Sequence, residues 1–398
     1  MNNDFEQLKE RDERSVCHTY GRYPLAAAQA KGTRIYDPTG REYTDLLAGV
    51  AVVNLGHCRP ELTQVMANQA QKMVHVSNLL YQEEQVACAE KLLSTCGANK
   101  VFFCNSGAEA NEAAIKLARR YMQKIKNKDA FEIITLEGSF HGRTLATLAA
   151  TGQDSLKEWF APMPQGFITV PFDDISALEN AISPKTAGVL IELVQGEAGV
   201  RPLSPEYVSA LARICREKDI LCLVDEVQTG MCRTGKFWAH QHFGLKPDIF
   251  TSAKALANGL PIGAVLATDE AAKGFEPGTH GCTFGGGPIV CAVASKVMDI
   301  MLDKDMAERA KKMGEFALSL FTEVKDEFPD KIHEVRGKGL MLAIELCFPG
   351  KDVWSALLDK GFVLNLTQGN VLRLLPPLII EKQDFTRFAA ALREVLGG

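Results

Sequence analysis

Residues 220–268 read ILCLVDEVQTGMCRTGKFWAHQHFGLKPDIFTSAKALANGLPIGAVLAT. Three short apolar runs, ILCLVDE, DIFTSA and IGAVLAT, are separated by polar and small residues, as strands buried on both faces would be. Outward from this stretch, VFFC at 101–104, FEIITLE at 131–137, FITV at 167–170 and AGVLIEL at 187–193 repeat the pattern, with helix-like stretches between them. Seven such runs between about 100 and 270 predict an α/β fold, a largely parallel sheet covered by helices. Beyond about 290, the amphipathic stretch MAERAKKMGEFALSLFTEVKDEF and short runs around GLMLAIEL and NVLRLLPPL predict a separate, smaller α+β unit. TRIYDPTGREYTDL near the start predicts a hairpin with a Pro-Thr-Gly turn. The expected organisation is an N-terminal segment at 1–50 that contributes to the small domain, a large domain at 51–290 and a C-terminal small domain at 291–398.

Composition narrows the function classes. The chain has 398 residues, 46% hydrophobic and 23% charged, ample for a buried core. With 44 basic and 49 acidic residues, a net charge of −5 and no long single-sign run, it offers no footprint for a nucleic-acid backbone. Eleven cysteines without a CxxC or zinc-knuckle spacing fit free thiols in a reducing cytosol. No apolar run approaches the length of a membrane span, and the polar opening MNNDFEQLKERDERS lacks an apolar leader, so the expected location is cytoplasmic.

Four constellations in the middle region carry chemistry. In CNSGAEANEAAIKLARRY, a strand ends at Cys104 and the small residues Ser106, Gly107 and Ala108 lead into a helix, whose free amides make a phosphate-binding candidate. An ordinary strand-to-helix turn would read the same. In LVDEVQTG, Asp225 and Glu226 stand at the carboxyl end of a strand, where ligands of open α/β sheets bind. A carboxylate there needs a cationic partner or it neutralises. Lys254 lies at another strand end, between two apolar segments, where an ammonium is costly unless paired or covalently used. In EGSFHGRT, Phe140 and His141 precede Gly142, and the ring could stack on a planar ligand or pack under its own loop.

The ordered series FFCNSGAEANEAAIKLAR, FHGRTLA, VQGEAGV, VDEVQTGMCRTG, AKALANGLPIGAV and HGCTFGG resembles the class III, ornithine-type aminotransferases that use pyridoxal 5′-phosphate. The likeness runs from about Tyr20 to VLRLLPPLII. It implies fold type I and the transfer of an amino group from a small-molecule ω-amino donor to 2-oxoglutarate. By this resemblance Lys254 holds the cofactor covalently and carries the proton, and Asp225 pairs with the pyridine nitrogen. Phe140 and Val227 cover the two ring faces, Gln228 lies near the phenolic oxygen, and Glu226 is counted with the cofactor-binding residues. Gly107 and Ala108 hold the phosphate together with Thr283 of a neighbouring subunit, which implies a homodimer. Arg143 and Arg373 receive substrate carboxylates, Glu197 neutralises Arg373 when its guest is absent, and Cys282 and Tyr20 complete the substrate residues.

Some positions depart from the family pattern. Leu193 replaces a usual proline, Cys232 a small residue, Gly287 an asparagine and Cys282 a serine. Val50 stands where ornithine-using members tend to have an aromatic residue, and an aliphatic side chain there suits an acylated donor. Succinylornithine, γ-aminobutyrate and carrier-linked lysine derivatives are alternatives within the same chemistry, and a non-catalytic cofactor-binding regulator is the alternative outside it. A dehydrogenase would need a GxGxxG after a strand, which is missing. His240 and His242 form an HxH pair without a nearby third ligand, which reads as surface or helix residues.

Overall fold

Seven strands form one sheet in the order Lys100–Cys104, Gly263–Ala267, Ile249–Ser252, Leu221–Asp225, Thr186–Ile191, Glu132–Leu136 and Phe167–Val170, in a computed structural model that describes residues 3–398. Six of the strands run the same way, and Gly263–Ala267 is antiparallel to both its neighbours. The central strands Thr186–Ile191 and Leu221–Asp225 are buried at every residue, the physical reason they are continuously apolar rather than alternating. All seven runs singled out in the sequence are strands of this sheet. Their shared direction brings the ends at Cys104, Leu136, Ile191, Asp225 and Ser252 to one edge.

Local chemistry sets the helix boundaries. Helix Gly107–Arg120 starts where the Ser106 side chain accepts from the Glu109 amide at 3.2 Å. Helix Pro205–Lys218 starts with a Ser204 cap and a proline in its first turn, and stops at Asp219 in a left-handed conformation. No helix among the described residues is long and apolar enough to cross a membrane.

The C-terminal unit is an antiparallel sheet of Ile332–Lys338, Met341–Leu346, Val371–Leu374 and Asn365–Thr367, packed with helices Met306–Glu327, Lys351–Asp359 and Lys382–Gly397. The N-terminal hairpin pairs Arg34–Tyr36 with Glu42–Asp45, and Asp37 closes its turn by accepting the Thr39 and Arg41 amides at 2.9 and 3.0 Å. Strand Glu42–Asp45 then pairs in parallel with Phe362–Val363, close to the other end of the chain. One expectation needs correction. A boundary after residue 290 falls inside helix Pro288–Asp303, which packs on helices Pro60–Lys72 and Glu83–Ser94, so this helix goes with the large unit. A continuous apolar core joins the two units, from Val224, Trp238 and Phe250 to Phe321, Phe385 and Phe388.

Arg233 fastens this junction. It is fully buried, donates to the carbonyls of Leu340 (2.9 Å) and Pro376 (2.6 Å) and to Asn54 Oδ1, and touches no carboxylate among the described residues. Burial pushes its guanidinium down to about 9, while Asp45 and Cys232 pull the other way. Arg233→Met should leave three buried acceptors without a donor and cost about 3 kcal/mol. A thermal melt should show a midpoint lower by several degrees, and a midpoint equal to that of the native chain would refute this role.

Candidate active site

The strand ends enclose a cavity of ≈ 450 Å³ whose walls include Asp225, Lys254, Phe140, Val227 and Glu192. They come from the ends of four strands, as the last residue or in the segment that follows, so the parallel sheet itself gathers them.

Asp225 is 4% exposed, and its carboxylate is met by donors from three elements. Asn111 Nδ2, in helix Gly107–Arg120, donates to Oδ2 at 2.7 Å; His141 Nδ1 lies 2.9 Å from the same oxygen; the Val227 amide donates to Oδ1 at 3.0 Å. Asn111 also donates to the His141 carbonyl at 2.8 Å and accepts from Thr251 Oγ1 at 2.8 Å, locking the helix, the loop and a neighbouring strand together. With Nδ1 committed to Asp225, His141 Nε2 is buried without a partner. A buried carboxylate supplied in this way can accept a further donor, such as the N–H of a basic ring.

Lys254 follows strand Ile249–Ser252 with φ of +42°, in the left-handed region that is strained for a side-chain-bearing residue. Burial pushes its ammonium below the ordinary lysine value. Asp225 and Glu197 pull it up, Arg373 pushes it down, and Glu192 pulls it up. A lysine with this balance is a candidate nucleophile and proton carrier.

Phe140 and Val227 both line the cavity. The Arg143 guanidinium lies 5.5 Å from the Phe140 ring centroid. Val227 lies so close to Gly107 that a β-carbon there would sit 2.7 Å from Val227 Cγ1, which explains the glycine. The Gly107 and Ala108 amides, in the first turn of the helix, find no acceptor among the described residues. Gln228 Oε1 and Ser252 Oγ are likewise buried without partners. The donor set therefore suits a flat molecule with an anionic group at the helix start, a basic nitrogen against Asp225 and a carbonyl carbon within reach of an amine.

Arg373, 2% exposed on strand Val371–Leu374, donates to Glu197 Oε1 at 2.6 Å and to Asn365 Oδ1 at 2.6 Å. Burial alone would raise the Glu197 carboxyl, but Arg373, with Lys254 and Gln228, outweighs it and holds it below the usual carboxylate value. Glu197 lines the cavity directly, and Arg373 stands behind it. Arg143 is exposed at the mouth and touches no carboxylate among the described residues.

Several expected residues lie elsewhere. Glu226 does not reach the cavity, because successive strand residues face opposite ways. Its carboxylate accepts from Thr229 Oγ1 (2.7 Å) and the amides of Ala239 (2.9 Å) and His240 (2.8 Å), and lies 3.0 Å from His240 Nδ1. His242 Nε2 lies 3.0 Å from the Thr234 carbonyl. Tyr20 is 77% exposed in an irregular segment away from the cavity. Thr283 and Cys282 line a separate surface hollow, where Asn105 Nδ2 donates to Cys282 Sγ at 3.0 Å. Val50 turns away with φ of +65° to pack beside Ala51, Val200 and Leu375, and Val52 lines the cavity instead.

Sequence reasoning missed Asn111 and Glu192 and left His141 without a role. The signals were present: an asparagine among alanines on a buried helix face, and a lone acid inside the apolar run AGVLIEL.

The family profile described as "Aminotransferase class-III" matches residues 16–396. The acetylornithine aminotransferase of Methanocaldococcus jannaschii is 44% identical over 376 residues, 94% of each chain. Among solved structures, the ornithine aminotransferase of Toxoplasma gondii superposes with a TM-score of 0.95 at 32% identity, covering 98% of this chain and 94% of that one. The acetylornithine aminotransferase of Elizabethkingia anophelis does so with a TM-score of 0.88 at 33% identity, covering 98% of each.

The charges around Lys254 give a signed expectation. Asp225→Asn removes an anion and should lower the pH at which Lys254 becomes reactive to an amine-labelling reagent, whereas Arg373→Gln removes a cation and should raise it. Mass-spectrometric labelling of Lys254 across pH reads both, and shifts of the same sign would contradict the electrostatics described.

Proposed function

Because this chain belongs to the class-III aminotransferases and shares the fold type I architecture of their solved members, we propose that it transfers the δ-amino group of N2-acetylornithine to 2-oxoglutarate, giving N-acetylglutamate semialdehyde and glutamate. Pyridoxal 5′-phosphate is the cofactor, and when bound it supplies an electrophilic aldehyde and a ring that accepts electrons from the carbon beside the transferred nitrogen. The residues present fit it. The Gly107 and Ala108 amides would hold its phosphate, Asp225 its ring nitrogen, and Phe140 and Val227 its faces, with Gln228 near its phenolic oxygen. Lys254 would hold its aldehyde carbon.

Lys254, desolvated and between carboxylates, gives up a proton more readily than an ordinary lysine and so serves as the acid and base of the transfer. Asp225, oriented by Asn111, His141 and the Val227 amide, would accept from the protonated ring nitrogen. The observation that carries the substrate reading is the Arg373–Glu197 pair. A buried guanidinium closed by an internal carboxylate needs no guest while a donor without a second carboxylate is bound. For 2-oxoglutarate, Glu197 gives way and Arg373 takes the acid's α-carboxylate. Arg143 serves the distal carboxylate of that acid and the α-carboxylate of the donor.

A second copy of the chain completes the site in this reading. Leu79, Tyr81 and Phe284 are 91%, 105% and 67% exposed, an apolar surface suited to a homodimer, and Thr283 beside Phe284 would reach the neighbouring cofactor phosphate. The relatives' names support arginine biosynthesis as the setting, with the cytoplasm as its location. Free ornithine is the second reading, favoured by the likeness to the Toxoplasma gondii structure. An amine-donor panel with 2-oxoglutarate decides: preference for free ornithine over acetylornithine would overturn the substrate assignment.

Lys254→Ala should retain native circular dichroism and lose roughly 10³-fold in turnover. Near-native turnover would remove the lysine from the mechanism. Arg373→Ala should impair the 2-oxoglutarate half-reaction by roughly tenfold to a thousandfold and the donor half far less, whereas Arg143→Ala should impair both. Single-turnover absorbance separates the halves, and equal damage to both by Arg373→Ala would refute the division.

A further inference from the structure

We propose that Glu192 is a positioning residue: its carboxyl group fastens the wall that carries Phe140 to the loop that carries Glu197, and it adds one carboxyl to the groups around Lys254. Glu192 follows strand Thr186–Ile191 and is 6% exposed in the cavity wall. Its Oε2 accepts from the Phe140 amide at 2.9 Å and its Oε1 from the Gly196 amide at 3.5 Å. Phe140 is the ring expected against the cofactor, and Gly196 immediately precedes Glu197. One short side chain therefore spans two walls that belong to different strand-to-helix connections.

The groups facing Glu192 are His141, from the same loop as Phe140, Asp225 at the end of its strand, and Lys254 beyond the next strand. No cation among the described residues contacts it. Asp225 has already taken His141 Nδ1, so two carboxylates share the influence of one imidazole, and Glu192 is the one without a side-chain donor. Burial pushes its carboxyl up to about 7; His141 opposes this, Asp225 adds to it, and the two amides oppose it. Glu192 thus keeps its proton to higher pH than an ordinary carboxyl. Ionised, it is the stronger acceptor for both amides and adds an anion beside Lys254. Protonated, it loosens its hold on Phe140 and leaves Lys254 less basic.

The inference rests on the cofactor reading above, and the experiment separates the two. Glu192→Gln keeps size and removes charge; Glu192→Asp keeps charge and shortens the reach to Phe140. In protein loaded with pyridoxal 5′-phosphate, the pH midpoint of the visible absorbance change should fall by roughly one unit in the Gln variant, the effect of one nearby charge, and stay near native in the Asp variant. Turnover should fall about tenfold in both, with KM for the donor within about twofold, because the wall that moves faces the cofactor.

A second readout needs no cofactor. A carboxyl raised in the folded chain subtracts stability as pH climbs from its ordinary value of 4.5 to about 7. The thermal midpoint of cofactor-free native protein should therefore fall, relative to the Gln variant, across that window and run parallel outside it. An unchanged absorbance midpoint in the Gln variant, or parallel melting curves throughout, would overturn the proposal. If the native protein shows no visible band on loading, the cofactor reading falls instead, and the melting curves still decide whether Glu192 titrates where described.

Discussion

A carboxylate at the end of a buried strand is the constraint around which the rest of this chain is arranged. Asp225 cannot remain charged in an apolar sheet without donors, and it draws them from a helix, a loop and its own backbone. Meeting that demand fixes where helix Gly107–Arg120 sits, which face of it carries Asn111, and how the loop after strand Glu132–Leu136 bends to present His141. The same loop then sets Phe140, and the same helix offers its first amides to the cavity. The electrostatic requirement of one residue thereby becomes the geometry of the whole pocket.

A second ionic pair is organised on the opposite principle. Donors from three segments converge on Asp225, whereas Arg373 and Glu197 satisfy each other, with Asn365 on the same guanidinium. Lys254 lies within the field of both arrangements.

The sheet was legible in the sequence because strands buried on both faces must be apolar along their whole length, and seven such runs stood out from ILCLVDE to IGAVLAT. Lys254 and Asp225 were legible only together, as an amine and an acid at the ends of two such runs, since either alone reads equally as a solvated side chain or a cap. What escaped depended on direction rather than composition. Glu226 and Asp225 look alike as neighbouring acids, yet the pleat sends them to opposite faces, one into the cavity and one into a cap for residues 239–240. Asn111 and Glu192 escaped because a polar residue within an apolar run reveals itself only when its partners, distant in sequence, are known. The boundary after residue 290 failed for a related reason: helix Pro288–Asp303 is apolar enough to belong to either unit, and only its packing on helices Pro60–Lys72 and Glu83–Ser94 decides.

Arg233 has a consequence for the order in which the molecule comes into being. Its three acceptors lie at Asn54, Leu340 and Pro376, so in a chain made from its amino end the first precedes Arg233 and the other two come 107 and 143 residues after it. Strand Glu42–Asp45 waits in the same way for Phe362–Val363. Until then the guanidinium has only one of the three acceptors it holds in the finished molecule. The residues that line the pocket, from Val52 to Ile262, are therefore all made before the junction that Arg233 fastens can form.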